Sequence, residues 1–364
     1  METRVVFHID FDYFYAQCEE IRIPGLKSKP VCVCVFSDRG GDSGAIATAN
    51  YIARSFGVKS GISISAAKEK LNKRKDAVFI PVDFDYYEAI SKKAMEIIKK
   101  YTDIFEYVGK DEAYLDVTDR VNGNFVNASH LAQQIKNSIK DKTKLSCSIG
   151  IAPNKLIAKI ASDFRKPDGL TVVLPNKIDE LLEQLKIRAI PGIGNKTEQQ
   201  FTLMKLESIN DLKKLDVFTL NKQFGRKQGT YIYNAIRGID DEPVKEKDDT
   251  IQYSKLMTLK KDSSEYDFLA ENLLELCIKL HGVIQKNNIM FKSVGIQFIL
   301  TDLTNKTKSR MLKNSTSSLE ELQKNTIQLL KEALEDQKNT IRRLGIKVSE
   351  LSEIKGQKDI TNYF

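Results

Sequence analysis

The chain has 364 residues, of which 41% are hydrophobic and 29% charged; this fits a soluble globular protein of two to four domains. A net charge of +8 favours polyanionic partners such as nucleic acid, although many basic proteins bind none. The five cysteines form no CxxC pair, and the apolar runs fall far short of the roughly 20 residues that a membrane helix needs. Disulfides, zinc and a membrane span are therefore disfavoured, and we expect a cytoplasmic protein.

The first 170 residues alternate strand and helix patterns, which predicts one mixed sheet with helices around it. Strands are predicted at 4–9, 31–36, 112–118 and 145–152. Helices are predicted at 12–22, 47–58, 63–75, 90–102, 130–141 and 154–164. The last of these helices stops before the Pro/Gly signal KPDGL.

The second half begins with short helices and no strand signal from about 176 to 240. The charged stretch DDEPVKEKDDT then predicts a linker, because it has little apolar area to bury. Beyond it, the order of elements is β-α-β-β-α-β, which indicates a small α+β domain of ferredoxin-like type.

Two groups of acidic residues follow predicted strands or turns. Asp10 ends a buried strand in HIDFDYFYAQ, whereas Asp111 and Glu112 follow a predicted hairpin turn at Gly109-Lys110. Three carboxylates on strand ends suit Mg²⁺, and two such ions can hold both ends of a phosphoryl displacement. Solvated strand-end acids explain the spacing equally well. Asp12 is expected to cap the following helix.

Two further motifs point to phosphate groups. In TANYIAR, the side chains of Thr48, Tyr51 and Arg54 are expected on one helix face, a suitable grip for a triphosphate. IPGIGNKT has the Gly-hydrophobic-Gly pattern of a helix–hairpin–helix, which binds a DNA backbone through free N–H groups. A plain tight turn is the alternative.

Two features near the C-terminus suggest macromolecular contacts. Lys306, Lys308 and Arg310 alternate along a predicted strand and share one face, which suits a nucleic-acid backbone or simply protects a sheet edge by charge. In the tail, helical spacing relates a polar residue, an aliphatic residue and two aromatics that together would fill a groove; they are Gln357, Ile360, Tyr363 and Phe364. The alternative is a tail that packs on its own domain.

Several motifs stand in one order along the chain: DFDYFYAQ, SGAIATANYIARSFGVKSGI, DEAYLD, SIGIAPNKLIAKIASDFRKPDG and PGIGNKT. Over about residues 1–349 the chain resembles the Y-family DNA polymerases, most closely the archaeal DNA polymerase IV group. The resemblance implies an α+β right-hand polymerase, with a palm at 1–13 and 82–170 and fingers at 14–81. A helical thumb at 171–240, a linker at 241–250, a ferredoxin-like little finger at 251–349 and a tail at 350–364 would follow.

The implied activity is template-directed, low-fidelity translesion synthesis, which adds a dNMP to a primer 3′-OH without proofreading. By position, two Mg²⁺ ions would be held by Asp10, Asp111, Glu112 and the Phe11 carbonyl, with Glu112 as the active-site acid. Tyr15 would be the steric gate that excludes a ribose 2′-OH.

The dNTP contacts implied by the resemblance are the backbone of Tyr13 and Phe14 and four side chains: Thr48, Tyr51, Arg54 and Lys166. Ala45 and Ala47 would form a small-residue roof over the nascent base pair. Gly192, Gly194 and Lys196 would contact DNA. The tail resembles a box that binds a sliding clamp (PCNA), and the enzyme is expected to be a monomer.

One departure from the family is the pair Gly109-Lys110, since the family usually has Ser and an aliphatic residue before the acids. Two alternative functions are therefore considered. One is an inactive DNA-binding scaffold that recruits a partner through its tail, and the other is a nucleotidyl cyclase with a similar sheet and paired acids. The intact acids disfavour the scaffold. The helix–hairpin–helix and the tail disfavour the cyclase.

Overall fold

The computed structural model describes residues 3–246, 250–335 and 339–353. The chain divides into two compact units. The first comprises Met1–Val35 and Ala45–Lys247, and the second comprises Phe36–Gly44 and Asp248–Phe364. Within the described ranges, no helix is both long and apolar enough to cross a membrane.

The first unit is built on a five-stranded sheet in the order β5-β6-β1-β7-β8. Its strands are β1 (Val6–Phe11), β5 (Ile104–Tyr107), β6 (Glu112–Asp116), β7 (Cys147–Ala152) and β8 (Leu170–Val172). The strand β1 is antiparallel to both β6 and β7, and Asp10 lies opposite Glu112 on one side and Ser148 on the other. The central strand therefore ends beside the hairpin that carries the other two acids.

Helices cover both faces of this sheet. One face buries Phe7 and Ile9 in the same core as residues of α4 (Phe84–Lys99) and α6 (Phe125–Thr143). The other face packs against α7 (Lys155–Phe164). A Cβ on Gly150 would stand 2.0 Å from the Ala158 carbonyl oxygen, so only glycine lets α7 approach β7 this closely. A mixed sheet with helices around it is as predicted, but the prediction of a single sheet for the first 170 residues is wrong, because the strand predicted at 31–36 pairs in a separate three-stranded sheet.

A smaller sheet in the order β3-β2-β4 follows β1 in the chain. It contains β2 (Val31–Phe36), β3 (Gly44–Ala49) and β4 (Val78–Pro81), accompanied by α1 (Phe14–Arg22), α2 (Tyr51–Ser55) and α3 (Ile64–Lys70). The helix predicted at 47–58 is wrong at its start, because β3 extends to Ala49. Asn50 then caps α2 by accepting the Ala53 N–H at 3.0 Å.

Asp12 does not cap α1, which corrects the prediction made for it. The N-cap is Tyr13, in the left-handed region at φ 37°, and no side chain caps this helix. The Asp12 carboxylate is instead fully buried and bonded to residues far away in the sequence.

Short helices follow β8, as predicted. They are α8 (Ile178–Glu183), α9 (Asn195–Leu203), α10 (Ile209–Lys213), α11 (Val217–Phe224) and α12 (Arg226–Ala235), while α5 (Thr118–Val121) lies earlier, after β6. The start of the predicted linker packs on this unit, since the Arg4 guanidinium donates to the Glu242 carbonyl oxygen at 3.0 Å. At the start of the DDEPVKEKDDT stretch, Asp240 accepts the Leu156 N–H at 2.9 Å.

The second unit has the predicted β-α-β-β-α-β order. Its elements are β9 (Gln252–Ser263), α13 (Tyr266–Lys286), β10 (Ile289–Leu300), β11 (Asn305–Thr316), α14 (Leu319–Leu334) and β12 (Ile341–Glu353). The sheet order is β11-β10-β12-β9. The alternating residues Val294, Ile296 and Phe298 of β10 share a buried core with residues of both helices, which leaves the other sheet face open. The predicted clamp-binding tail lies outside the described residues.

Candidate active site

A cavity of about 280 Å³ lies in the first unit, where β1, the β5–β6 hairpin, β3 and α2 approach one another. It gathers most of the predicted site residues and adds Ser60, which the sequence did not suggest. Its lining is Asp10, Phe11, Tyr13, Phe14, Tyr15, Ala47, Thr48, Arg54, Ser60, Asp111 and Lys166. Ala45, two residues before Ala47 on β3, pairs with Ser63. The cavity therefore brings the carboxylates of Asp10 and Asp111 together with the cationic groups of Lys166 and Arg54 and the Thr48 hydroxyl.

Asp10 stands at the end of β1 with its carboxylate 2.7 Å from the Lys166 ammonium. Lys166 also lies 2.7 Å from Asp163, one helical turn earlier. Burial raises the pKa of Asp10 to about 6, because the attraction of Lys166 only partly offsets the loss of water. The ionised form of this carboxylate is therefore disfavoured, and an additional cation close to it would stabilise it.

Asp111 and Glu112 come from the β5–β6 hairpin that the sequence predicted. The pKa of Asp111 is raised by burial and by its neighbour Glu112. The pKa of Glu112 falls to about 2, since a hydrogen bond from His8 and the nearby Lys159 outweigh its burial. The pKa values of the two adjacent acids are therefore shifted in opposite directions, a difference that no sequence pattern predicted.

His8 and Lys159 are site residues that sequence reasoning missed. His8 is fully buried, with Nε2 3.1 Å from Glu112 and Nδ1 2.8 Å from the Ser162 hydroxyl. Burial lowers the pKa of His8, and its Nε2 is placed to hydrogen-bond with Glu112. The one available signal was strand alternation, which puts His8 on the same face of β1 as Asp10.

The three carboxylates have the donor chemistry of a magnesium site but are not gathered around one point. Among the residues described, no three His, Cys, Asp or Glu side chains are arranged to hold a metal ion. Lysines pair with Asp10 and Glu112 instead. The donors are nevertheless all oxygen atoms on adjacent strand ends, and two of the three have raised pKa values. Hard divalent cations fit that set.

The residues predicted to bind the triphosphate lie close together, but not because they share one helix face. Thr48 lies on β3 and Arg54 on α2, so they do not share a helix face, yet both line the cavity. Arg54 is oriented by donating from Nε to the Ala49 carbonyl oxygen at 2.8 Å. The Tyr51 hydroxyl is buried and has no hydrogen-bond partner. An orphaned hydroxyl beside cationic groups fits an anionic ligand.

Tyr15 lines the same cavity with a fixed ring. It stacks on Tyr87 with centroids 4.6 Å apart and meets the edge of Phe84 at 6.0 Å. Lys110, the departure from the family pattern, pairs with Glu88 at 3.0 Å and lies 5.6 Å from the Phe84 ring. The lysine thus supports the aromatic wall behind Tyr15.

The predicted helix–hairpin–helix lies between a 3-10 turn (Ile187–Ala189) and α9. Gly192 adopts φ 81°, and a Cβ there would stand 2.9 Å from the Tyr231 ring. Gly194 is the N-cap of α9, where no side chain caps the helix. Both glycines and Lys196 are exposed, so the first N–H groups of α9 are accessible to a phosphate.

In the second unit, Lys306, Lys308 and Arg310 do share one face, but it is the face covered by helices. The register places them opposite the buried Phe298, Ile296 and Val294. Glu332 of α14 pairs with Lys308 at 3.4 Å and also with Arg310. This geometry favours the alternative of a charged edge strand, and a DNA contact there remains a prediction.

The open face of that sheet has a charge pattern that the sequence alone did not reveal. In the paired registers of the four described strands, its positions are every second residue of 252–258, 293–299, 305–311 and 343–349. They include Arg343 and Lys347 but no acidic side chain. Arg343 Nε is buried and has no hydrogen-bond partner. An acid-free sheet face with two cations suits a phosphate backbone.

Comparison with known proteins now bears on these observations. Residues 9–163 match the model of the impB/mucB/samB family, 188–240 match the thumb domain of DNA polymerase-iota, and 251–361 match the impB/mucB/samB family C-terminal domain. A DNA polymerase IV of Nitrosopumilus maritimus is 72% identical over 100% of both chains. A DNA polymerase IV of Methanosarcina acetivorans is 40% identical, again over 100% of both chains.

Solved structures agree with these sequence matches. A Y-family DNA polymerase chimera of Dbh and Dpo4 superposes with a TM-score of 0.88 at 34% identity, covering 96% of this chain and 99% of that one. An insertion ternary complex of Dbh DNA polymerase has a TM-score of 0.68 at 34% identity, covering 95% and 98%.

The fold, the acidic cavity and these matches define a nucleotidyltransferase, and the chain belongs to the Y family of DNA polymerases. It is a DNA-directed DNA polymerase of the low-fidelity translesion type, and DNA and nucleotides are its substrates. Enzymes of this class depend on metal ions. The cyclase and the inactive scaffold are set aside, since relatives that match over the whole length are DNA polymerases.

Proposed function

We propose that synthesis takes place in the 280 Å³ cavity, with Asp10, Asp111 and Glu112 as the catalytic carboxylates. The observation that carries the proposal is that one cavity brings carboxylates and cationic groups together. Asp10 and Asp111 line it along with Lys166, Arg54 and the Thr48 hydroxyl. A dNTP needs this arrangement, because its reacting phosphate must meet metal ions while its outer phosphates are neutralised by side chains.

Two Mg²⁺ ions would be held by the three carboxylates and the Phe11 carbonyl. When bound, they would lower the pKa of the primer 3′-OH and stabilise the charge on the leaving pyrophosphate. Lys166 would shift its ammonium group from Asp10 towards the triphosphate, and Arg54 and Tyr51 would complete the grip. His8 would hold the Glu112 carboxylate in orientation. Tyr15, backed by Tyr87, would fill the space that a 2′-OH needs.

Primer extension with Mg²⁺ and dNTPs tests the site. We expect Asp10→Ala and Glu112→Ala to abolish extension while the affinity for duplex DNA stays within about twofold, because the carboxylates act on the reaction and not on the DNA backbone. Asp163→Asn, at an exposed partner of Lys166, is the matched control and should retain extension. Extension by either alanine variant near the wild-type rate would refute the assignment.

We also propose that the domain division given by the resemblance holds, with palm, fingers, thumb, linker, little finger and tail at the stated boundaries. Three separate sheets and the helical stretch after β8 support it. DNA would be held by Gly192, Gly194 and Lys196 and by Arg343 and Lys347 on the open sheet face. The enzyme would act as a monomer in the cytoplasm, and its five free, buried thiols suit a reducing compartment.

The C-terminal tail would bind a sliding clamp (PCNA) through Gln357, Ile360, Tyr363 and Phe364. The spacing of these residues supports the proposal, since one helical turn would present the aliphatic and aromatic side chains together. Deletion of 357–364 should remove stimulation by the clamp and leave synthesis without the clamp unchanged. Undiminished stimulation of the shortened chain would contradict the tail assignment.

A further inference from the structure

Asp12 is a buried carboxylate whose hydrogen bonds come from distant parts of the chain. Its Oδ1 accepts the Ser148 hydroxyl at 2.8 Å. Its Oδ2 accepts the Ser146 hydroxyl at 2.8 Å and the backbone N–H of Asp168 at 2.9 Å. The residue has no exposed surface, so it touches neither nucleotide nor DNA. Burying a carboxylate is costly without such donors, and one of them, the Asp168 N–H, belongs to the loop that follows α7.

The loop in question follows α7 and carries Lys166 two residues before Asp168. Its far end is also fixed, because the Gly169 N–H donates to the Ser148 hydroxyl at 3.1 Å. Lys136 of α6 reaches the same place and donates to the Asp168 carboxylate at 2.7 Å and to the Gly169 carbonyl oxygen at 3.0 Å. The segment after Lys166 is thereby bonded to the strand β7 and to the helix α6.

These contacts determine where the Lys166 side chain begins. Its ammonium group spans from that anchored loop to Asp10, 2.7 Å away, at the edge of the cavity. A charged group that must meet a phosphate loses effect when it is displaced by about 1 Å. A loop without an anchor would let the ammonium group sample many positions, and nucleotide binding would bear the entropic cost.

We infer that Asp12 is a positioning residue for nucleotide binding: it anchors the loop after α7, so that the Lys166 side chain extends into the cavity from a fixed backbone position. The inference rests on the proposed role of Lys166 as a triphosphate ligand. It explains why the chain keeps a second acid two residues after Asp10, where no metal or helix cap requires one.

A double-mutant cycle on the full-length enzyme tests this inference. KM for dNTP and kcat are measured by primer extension for the wild type, Asp12→Asn, Lys166→Ala and the double variant. Asparagine keeps the volume of Asp12 but removes its charge, so the charge-assisted hydrogen bonds that anchor the loop become weaker neutral ones. We expect Asp12→Asn to raise KM about tenfold with kcat within about threefold of the wild type. In the double variant, KM should be no higher than in Lys166→Ala alone.

The control is Asp116→Asn, at the opposite end of β6 from Glu112. Asp116 also accepts a hydroxyl and a backbone N–H, both from Thr118, at 2.6 and 3.1 Å. Asp116→Asn removes the charge of a hydrogen-bonded carboxylate that does not contact the loop of Lys166. KM for dNTP should therefore stay at the wild-type value. If Asp12→Asn fails to fold in a thermal melt, Ser148→Ala replaces it in the cycle, since it keeps the carboxylate but removes the bonds to Asp12 and Gly169. We expect Ser148→Ala to raise KM by less than Asp12→Asn does. Combined with Lys166→Ala, it should not raise KM above the value of Lys166→Ala alone.

The outcomes separate the inference from the function on which it rests. An unchanged KM in Lys166→Ala would refute the proposed triphosphate role itself. A raised KM in Lys166→Ala, with no change in either anchor variant, would overturn only the positioning role of Asp12. Effects of Asp12→Asn and Lys166→Ala that multiply in the double variant would also overturn it, because Asp12 would then act by another route. A fall in kcat at constant KM in Asp12→Asn would also overturn the positioning role.

Discussion

Replacing Asp10 by asparagine should abolish synthesis and yet make the folded protein more stable at neutral pH without metal. The carboxylate is only 20% exposed, and burial raises its pKa from the ordinary 3.8 to about 6. Each pKa unit corresponds to about 1.4 kcal/mol, so ionised Asp10 costs the folded state about 3 kcal/mol. Asparagine reproduces the neutral state of Asp10 and removes this cost.

The pH dependence follows from the direction of the shift. The folded state binds a proton at Asp10 at a higher pH than the unfolded chain does. Wild-type stability, compared with that of Asp10→Asn, therefore rises as the pH falls through about 6. The advantage of the variant is largest above pH 6, by about 3 kcal/mol, and vanishes below about pH 4, where Asp10 is neutral in both states.

Urea unfolding in EDTA at pH 8, 6 and 4.5 measures the difference. Asp163→Asn is the control, because Asp163 is also 2.7 Å from Lys166 but is 62% exposed, and it should shift stability by less than about 0.5 kcal/mol. Mg²⁺ should raise the melting temperature of the wild type more than that of Asp10→Asn. A variant that is less stable at pH 8, or a difference that does not vary with pH, would refute the electrostatic reasoning.

Three further changes test other parts of the enzyme. Tyr15→Ala should lower the ratio of kcat/KM for dCTP over CTP by about 100-fold, since a wall against the 2′-OH is lost; an unchanged ratio would count against the gate. His8→Leu removes the donor that holds the pKa of Glu112 low, so the acid limb of the pH–kcat profile should move upward by about one pH unit, and a fixed limb would contradict this role. The affinity of the enzyme for duplex DNA falls as the salt concentration rises, and the slope of log K against log salt counts the phosphate contacts. Arg343→Ala and Lys347→Ala should each reduce this slope by about 1, because each removes one phosphate contact. Slopes equal to that of the wild type would mean that DNA does not bind this face.

Lys308→Ala is the matched control for the last of these tests. It removes one cation from the same sheet but from the face covered by α13 and α14, where Glu332 already pairs with it. Its salt slope should stay at the wild-type value. If Lys308→Ala alone reduced the slope, the three basic residues of β11 would contact DNA and the open face would not.

Local sequence patterns are enough to predict most of the helices and strands and the order of the motifs. Strand and helix periods and Gly/Pro stops are local properties, so β2 and α7 were predicted close to their observed bounds, and the order of elements in the β-α-β-β-α-β unit was predicted. The strand-end acids and the hairpin before Asp111 were equally local. The helix predicted at 47–58 failed at its first residues because pairing of β3 with β2 outweighed the helical spacing.

Tertiary structure decided which of these residues work together. Alternation places Lys306, Lys308 and Arg310 on one face of β11, but only packing shows that α13 and α14 cover that face. His8 and Lys159 meet Glu112 across separations of 104 and 47 residues, and Asp12 meets Asp168 across 156 residues. No local pattern encodes such contacts, because they exist only once the sheet has brought distant strands and loops into register.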